Sequence, residues 1–422
     1  MVTPPKRGSV GNPKCTQILA EKNEFVNSPL MPQNKKKIIH IIQSLGNGGC
    51  ENMLLRTLPL LDTFDHTIIT LKNPGELAPK FVSVGITVKT VSCTGIFDIP
   101  GILRLRKLVR DESPDIIITY LFHADMLGRL FLRISEVPII PFLRTTYNHP
   151  KYLIARILEW MTRPLVNQYL ANSDAVKDFY IKHIGVHPEK ITVIPNGIDI
   201  EYFDSIISDP ELKKSLSIEP EDFVIICVAN LHINKGHQYL LEAFEQVYSS
   251  TSPTHCHPGL DPGSIPSPPV QGGELKRGLK LLLVGEGSER KNLEQQIKNY
   301  QSQKNIIFLG RRTDVPRLLK ISDIFVLPTL FEGQSNAILE AMAAGLPIIT
   351  TNIPENRILL ENASTGLFVE PKNTISLASA IRNIIENQPI ADKLSKNVLL
   401  VAREKYSLQS IKKFWNDFLS TL

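Results

Sequence analysis

The chain reads as an α/β protein built from two doubly wound domains, each a parallel sheet with helices on both faces. Three observations predict this. Short, largely apolar runs, such as Lys37–Ile42, Phe223–Val228 and Ile324–Leu327, have the composition of strands buried on both faces. These runs alternate with helical stretches, the pattern that produces a parallel sheet with crossover helices. The alternation also begins twice, each time with a glycine-bearing turn after the first strand, at Gly46–Gly49 and again at Gly236.

Residues 1–34 are polar, rich in Pro, Asn and Lys, and without periodicity, so they are expected to form a disordered extension. Lys37–Ile42 is the first strand, and a helix is expected over Cys50–Leu61. Strands follow at His66–Leu71, Ile86–Val91, Asp115–Tyr120, Pro138–Leu143, Gln168–Ala171 and Ile191–Ile194, with helices at Pro100–Glu112 and Ala124–Ser135. A linker is expected near residues 198–221, which divides the chain into a first domain over 35–205 and a second over 206–403. The second set runs through strand Phe223–Val228, helix Gln238–Tyr248, strand Lys280–Val284, helix Glu289–Tyr300, strands Ile306–Leu309 and Ile324–Leu327, and strand Pro347–Thr351. Residues 251–277 break the pattern with a Pro- and Gly-rich stretch, read as an insertion bulging into solvent. An amphipathic helix over Leu408–Leu422, within the segment 404–422, carries Ile411, Trp415 and Phe418.

Bulk properties exclude several classes. The 422 residues suffice for two or three domains with full cores, and 42% hydrophobic with 21% charged residues is ordinary for a globular chain. No apolar run approaches the length of a membrane span. Five scattered cysteines without Cys-x-x-Cys spacing argue for a reducing compartment and against a disulfide framework or a zinc site. His255-Cys256-His257 are adjacent and cannot readily all face one ion, so no metal site is expected. The formal net charge of +5 is too small to indicate nucleic-acid binding, though it suits an anionic substrate or contact with an anionic membrane surface.

The chemistry concentrates between Phe331 and Pro347. A buried strand, Ile324–Leu327, leads into a loop containing Glu332, Gly333 and Gln334. Ser335, followed by Asn336, can cap a helix whose body begins near Ala337, and Gly345 with Pro347 stops it. A helix N-terminus beyond a parallel strand favours a phosphate group. Glu332 and Glu340 can accept hydrogen bonds from sugar or ribose hydroxyls, so the combination suits a nucleotide sugar.

The segment Glu332-Gly333, then Leu339-Glu340-Ala341-Met342-Ala343-Ala344-Gly345-Leu346-Pro347, resembles the Glu-x7-Glu signature of the GT-B glycosyltransferases, specifically retaining family four, also called group 1. The resemblance covers residue 37 to the C-terminus and implies two Rossmann-like domains facing a cleft, with the last helix returning to the first domain. It implies transfer of a sugar from a nucleotide-diphosphate sugar to a saccharide or lipid-linked acceptor in envelope polysaccharide or lipopolysaccharide synthesis. It implies no cofactor and no metal, and a cytoplasmic enzyme, with a peripheral position at the inner membrane face left open. By the same resemblance Glu332 and His123 are the candidate catalytic residues. Gly48 and Gly49 of the first turn, Lys235, Gly285, Gly287, Gly333, Gln334, Ser335, Asn336 and Glu340 are the candidate donor-binding residues. Lys235 matches the lysine of the family's Arg-x4-Lys-Gly loop, but Asn230 stands where arginine is usual. Arg144, in place of a frequent histidine, cannot act as a base and is a candidate for an anionic acceptor. These departures leave open a catalytically silent nucleotide-sugar-binding protein. A nucleotide-sugar epimerase of the same fold is a further alternative, disfavoured by the Glu-x7-Glu block.

Overall fold

A computed structural model describes residues 35–133, 136–147, 152–251, 278–360 and 364–422. The expected N-terminal extension, and the insertion apart from Thr251, lie outside the described residues. Among the described residues the first domain holds seven parallel strands: β1 (Lys37–Ile42), β2 (Asp65–Thr70), β3 (Thr87–Thr90), β4 (Ile116–Tyr120), β5 (Ile139–Leu143), β6 (Tyr169–Ala171) and β7 (Ile191–Val193), in the order β3-β2-β1-β4-β5-β6-β7. The second holds six: β8 (Phe223–Val228), β9 (Leu279–Val284), β10 (Ile306–Gly310), β11 (Ile324–Leu327), β12 (Ile348–Thr351) and β13 (Leu367–Val369), in the order β10-β9-β8-β11-β12-β13. Both sheets are Rossmann-like, as the alternation predicts. In each, the chain winds outward in opposite directions from a central pair, β1 with β4 and β8 with β11. The crevice at the carboxyl end of such a pair is where this architecture leaves room for a ligand.

The central strands are almost wholly buried because helices cover both faces. Ile225, Ile226, Phe325 and Val326 are fully shielded from solvent and pack with Ile338 and Met342 of the helix that follows β11. The helix Leu408–Ser420 packs Ile411, Trp415, Phe418 and Leu419 into the same cluster as Ile38, Tyr120 and Phe142 of the first sheet. Trp415 meets Phe142 edge-on, with centroids 5.7 Å apart. The C-terminus is thereby tied to the domain where the chain began.

Several local expectations shift. The helix expected over Cys50–Leu61 stops at Thr57 and tightens into a 3-10 turn over Leu58–Leu60, because Pro59 has no N–H to continue the ladder. The helix expected from Ala124 starts at Leu121, which places His123 in its first turn. The expected linker near 198–221 contains two short helices, Ile200–Ser205 and Pro210–Ser215. Asp199 and Asp209 cap them, accepting hydrogen bonds from the Tyr202 and Leu212 amides at 2.9 and 3.0 Å.

A buried polar chain runs through the first sheet. Leu61 O can only accept, so His66 donates to it from Nε2 at 3.1 Å. His66 Nδ1 then accepts from His40 Nε2 at 3.0 Å, and His40 Nδ1 accepts from the Tyr120 hydroxyl at 2.9 Å. Both rings are therefore neutral, and burial holds their pKa values below 6.5. His237, at the start of the helix after β8, is 2% exposed, and neither ring nitrogen has a hydrogen-bond partner among the described residues. Desolvation, with Lys235 and His232 adding repulsion, lowers its pKa to about 4.

A pH dependence follows. Each of these imidazoles binds its proton more weakly folded than unfolded. As pH falls below the unfolded value of 6.5, the unfolded chain gains protons first and stability declines, until the folded pKa is passed, near 4 for His237. His237 alone accounts for roughly 3 kcal/mol across that window. Urea denaturation midpoints between pH 7.5 and 4.5 should therefore fall less steeply in His237→Leu than in the parent. Equal slopes would show that His237 contributes nothing.

Candidate active site

A cleft of about 600 Å³ lies where the two domains meet, at the carboxyl ends of their strands. The second domain forms most of its floor. β8 is followed by a loop carrying Asn230 and Lys235, and β11 by a loop carrying Glu332, which opens into the helix Asn336–Ala344. Ser335 caps this helix, its hydroxyl oxygen accepting from the Ile338 amide at 3.4 Å. Gly345, at φ +74°, ends it in the left-handed conformation that favours glycine. The helix N-terminus therefore faces the cleft with its dipole and free amides.

Both glutamates are engaged. Lys235 Nζ donates to Glu332 Oε1 in a mostly buried ion pair. Arg56 Nη2, from the first-domain helix Gly49–Thr57, donates to Glu340 Oε1 at 2.7 Å across the interface. Sequence reasoning missed Arg56. The signal was present: Gly49, Asn52 and Arg56 are spaced three and four apart on one helix, and all three line the cleft.

Asn196 joins the domains more extensively. Its amide N–H donates to Gln334 Oε1 at 2.7 Å, its Nδ2 to Asn336 Oδ1 at 2.7 Å, and its Oδ1 accepts from Arg144 Nη2 at 2.8 Å. Asn336 Nδ2 also donates to Gly49 O at 3.1 Å. The side chains of Gln334 and Asn336 thus bridge to the first domain, and the turn containing Asn196 is a node of the interface. Arg144 stacks on Phe142, 5.1 Å from its centroid, and its buried Nη1 has no hydrogen-bond partner among the described residues. His149, close to it in sequence, lies outside the described residues.

The glycines divide. Gly48, Gly49 and Gly285 line the cleft, whereas Gly287 and Gly333 do not. Gly285 sits at φ +141°, where a Cβ would collide with the Ala229 carbonyl; Gly287 similarly admits the Leu231 backbone. Their small size serves the packing of the two loops on each other. At Gly333 a Cβ would lie 2.6 Å from the Arg144 carbonyl, so this glycine admits the first domain. His123 is exposed at the first turn of its helix and is not a lining residue of the cleft. Glu51, half-buried beside Gly48, has its pKa raised by desolvation, partly offset by its own backbone hydrogen bond and by Arg144.

The arrangement offers a cation and a helix N-terminus for a phosphate, and two carboxylates for hydroxyls, in one cavity. Comparison with known proteins supplies the family and the fold. Residues 48–202 match the family model described as Glycosyltransferase Family 4, and residues 208–399 that described as Glycosyl transferases group 1. The chain is 29% identical over 381 residues, 86% of this chain and 91% of the other, to the UDP-Gal:alpha-D-GlcNAc-diphosphoundecaprenol alpha-1,3-galactosyltransferase of Escherichia coli. It is 22% identical over 382 residues, 86% and 92% of the two chains, to an N-acetylgalactosamine-N,N'-diacetylbacillosaminyl-diphospho-undecaprenol 4-alpha-N-acetylgalactosaminyltransferase of Campylobacter jejuni. The crystal structure of Anabaena HepE with UDP-glucose superimposes with a TM-score of 0.75 at 22% identity, covering 92% of this chain and all of the other. Fold and site define a glycosyltransferase of the GT-B architecture. Within that class, the chain belongs to family 4, the glycosyl transferases group 1.

Proposed function

We propose that the enzyme transfers a hexosyl group from a UDP-sugar to a saccharide carried on a lipid diphosphate, with retention of anomeric configuration and without a divalent cation. The observation that carries this reading is the convergence of Lys235, Glu332, Glu340 and the N-terminus of the Asn336–Ala344 helix on one cleft. UDP-sugar and diphospholipid are favoured by the names of the similar proteins above and by the UDP-glucose bound to the similar fold.

In this reading the bond between the anomeric carbon and the β-phosphate oxygen breaks, and UDP departs with its electrons. Lys235 and the helix amides stabilise the charge that develops on the diphosphate, a task that elsewhere falls to a metal. The acceptor hydroxyl attacks from the face the leaving group vacates, and its proton passes to a departing phosphate oxygen. Glu332 holds hydroxyls of the transferred sugar and Glu340 the ribose. Donor binding thus exchanges two internal ion pairs, Lys235–Glu332 and Arg56–Glu340, for contacts with the ligand. Arg144, with an unused donor on the first-domain side, suits the acceptor's phosphates.

Incubation with UDP-galactose, UDP-glucose, UDP-N-acetylglucosamine or GDP-mannose, together with a short-chain lipid-diphosphate N-acetylglucosamine, tests it. One UDP-sugar should raise the melting temperature and give an α-linked product by NMR coupling, with the same rate in EDTA. A β-linked product, or activity lost to EDTA and restored by magnesium, contradicts the mechanism. Asn230, exposed in the cleft where the family's second cation is usual, favours one other reading, a silent binding protein. Stabilisation without transfer or hydrolysis would select it.

A further inference from the structure

The first short helix of the linker, Ile200–Ser205, uses nearly all of its side chains within the protein. Ile200 and Phe203 are buried, Glu201 accepts from Gln409 at 3.2 Å, Asp204 pairs with Arg403 at 2.7 Å, and Ser205 donates to the Tyr202 carbonyl at 2.7 Å. Tyr202 is the exception. Its ring meets the neighbouring Phe203 edge-on, with centroids 6.1 Å apart, yet Tyr202 is 51% exposed and lines the cleft. Among the described residues it is the one aromatic side chain of that lining. An aromatic ring left bare in a ligand cavity offers an apolar face on which a planar group can stack.

The surroundings of Tyr202 point to the part of a nucleotide that reaches it. Its helix packs on the helix Asn336–Ala344, which carries Glu340. Further along the linker, Asp209 pairs with Arg317 on the short helix Val315–Lys320, which follows β10. The linker therefore runs past the two second-domain helices that open on the cleft. Val315 and Pro316, at the start of the second of these, add apolar lining to a cavity that is otherwise mostly polar. The diphosphate is assigned above to Lys235, the transferred sugar to Glu332 and the ribose to Glu340. Beyond the ribose one part of the nucleotide remains, the base. It is planar and uncharged, and an aromatic face suits it.

We infer that Tyr202 stacks on the nucleobase of the donor, with Val315 and Pro316 completing the apolar surround. The connection between the two domains thereby forms one wall of the base subsite. The inference rests on the assignment of the cleft to a nucleotide sugar. The ring contributes affinity for the nucleotide and little choice between bases, because every base presents a π-face.

Calorimetric titration of the full chain with UDP, GDP and inorganic pyrophosphate tests it. Tyr202→Ala should weaken binding of whichever nucleotide the parent takes by about tenfold or more, and leave pyrophosphate binding as it was. Tyr202→Phe keeps the ring and should stay within about twofold of the parent. Both variants should melt with the parent, since a half-exposed side chain holds little of the core together. In steady-state kinetics the loss in Tyr202→Ala should fall on donor KM, with kcat and acceptor KM little changed, because the base is held equally before and during reaction. Equal nucleotide affinity in parent and Tyr202→Ala overturns the inference and leaves the nucleotide-sugar reading standing. An effect confined to acceptor KM overturns it and seats the acceptor saccharide on the ring. Parallel loss of pyrophosphate binding overturns it too, since Tyr202 would then act by shaping the cleft. A parent that binds neither nucleotide overturns the inference together with the reading beneath it.

Discussion

Glu332→Gln is expected to lower kcat by about 10²–10³-fold while leaving the fold intact, a magnitude typical of one lost contact to the reacting group. Glu332 lies at the mouth of β11, 11% exposed by side chain, and its free-state partner is Lys235. The amide keeps the shape but loses the charge. It can still accept a hydrogen bond from a sugar hydroxyl, more weakly than a carboxylate. The free enzyme also loses an ion pair, which costs roughly 1–3 kcal/mol when one buried partner is left. The signature is therefore a large fall in kcat, a small rise in donor KM and a modest drop in melting temperature, measured by steady-state kinetics and thermal unfolding. Turnover within twofold of the parent would remove Glu332 from the reaction centre.

Lys235→Ala should have an effect at least as large, but divided differently. The donor diphosphate is charged before reaction and gains further charge as the sugar leaves. Loss of the cation should therefore raise donor KM and lower kcat together, each by about tenfold or more, with UDP product inhibition weakened in parallel. Asn230, in the same loop, offers no replacement charge, so the loss should not be buffered. The double variant provides the sharper test. Lys235 and Glu332 hold each other in the free cleft but are assigned to different parts of the bound donor. Their effects on melting temperature should be strongly non-additive, and their effects on kcat/KM more nearly additive. If kcat/KM couples as tightly as stability does, the pair acts as one unit and the separate assignments fail.

Much of the scaffold was legible because its signals are local. A strand covered on both faces must be apolar along its length, which is why β1, β8 and β11 stand out in the sequence with their limits almost unchanged. Ser335 and Gly345 mark the ends of the cleft helix because capping and left-handed termination are decided within one turn. The helix Leu153–Thr162 was not legible. With Glu159 paired inside and apolar residues outside, its pattern contradicts the rule by which helices are oriented. Helices over Thr374–Glu386 and Gln388–Val401 and strand β13 also went unforeseen, since their patterns are weaker than those of the central strands.

The sequence by itself determined two Rossmann-like sheets, a capped helix behind β11, Lys235 and Glu332 in loops beyond strand ends, and Glu340 within that helix. It could do so because burial of a strand and satisfaction of a helix end depend on neighbours along the chain. Only the tertiary structure decided what those residues hold. Glu340 meets Arg56 across 284 positions, and Gln334 meets Asn196 across 138, because the two domains present those surfaces to each other when they close. Such pairings depend on where the topology places whole faces, and side-chain hydrogen bonds of this kind leave no periodicity to read.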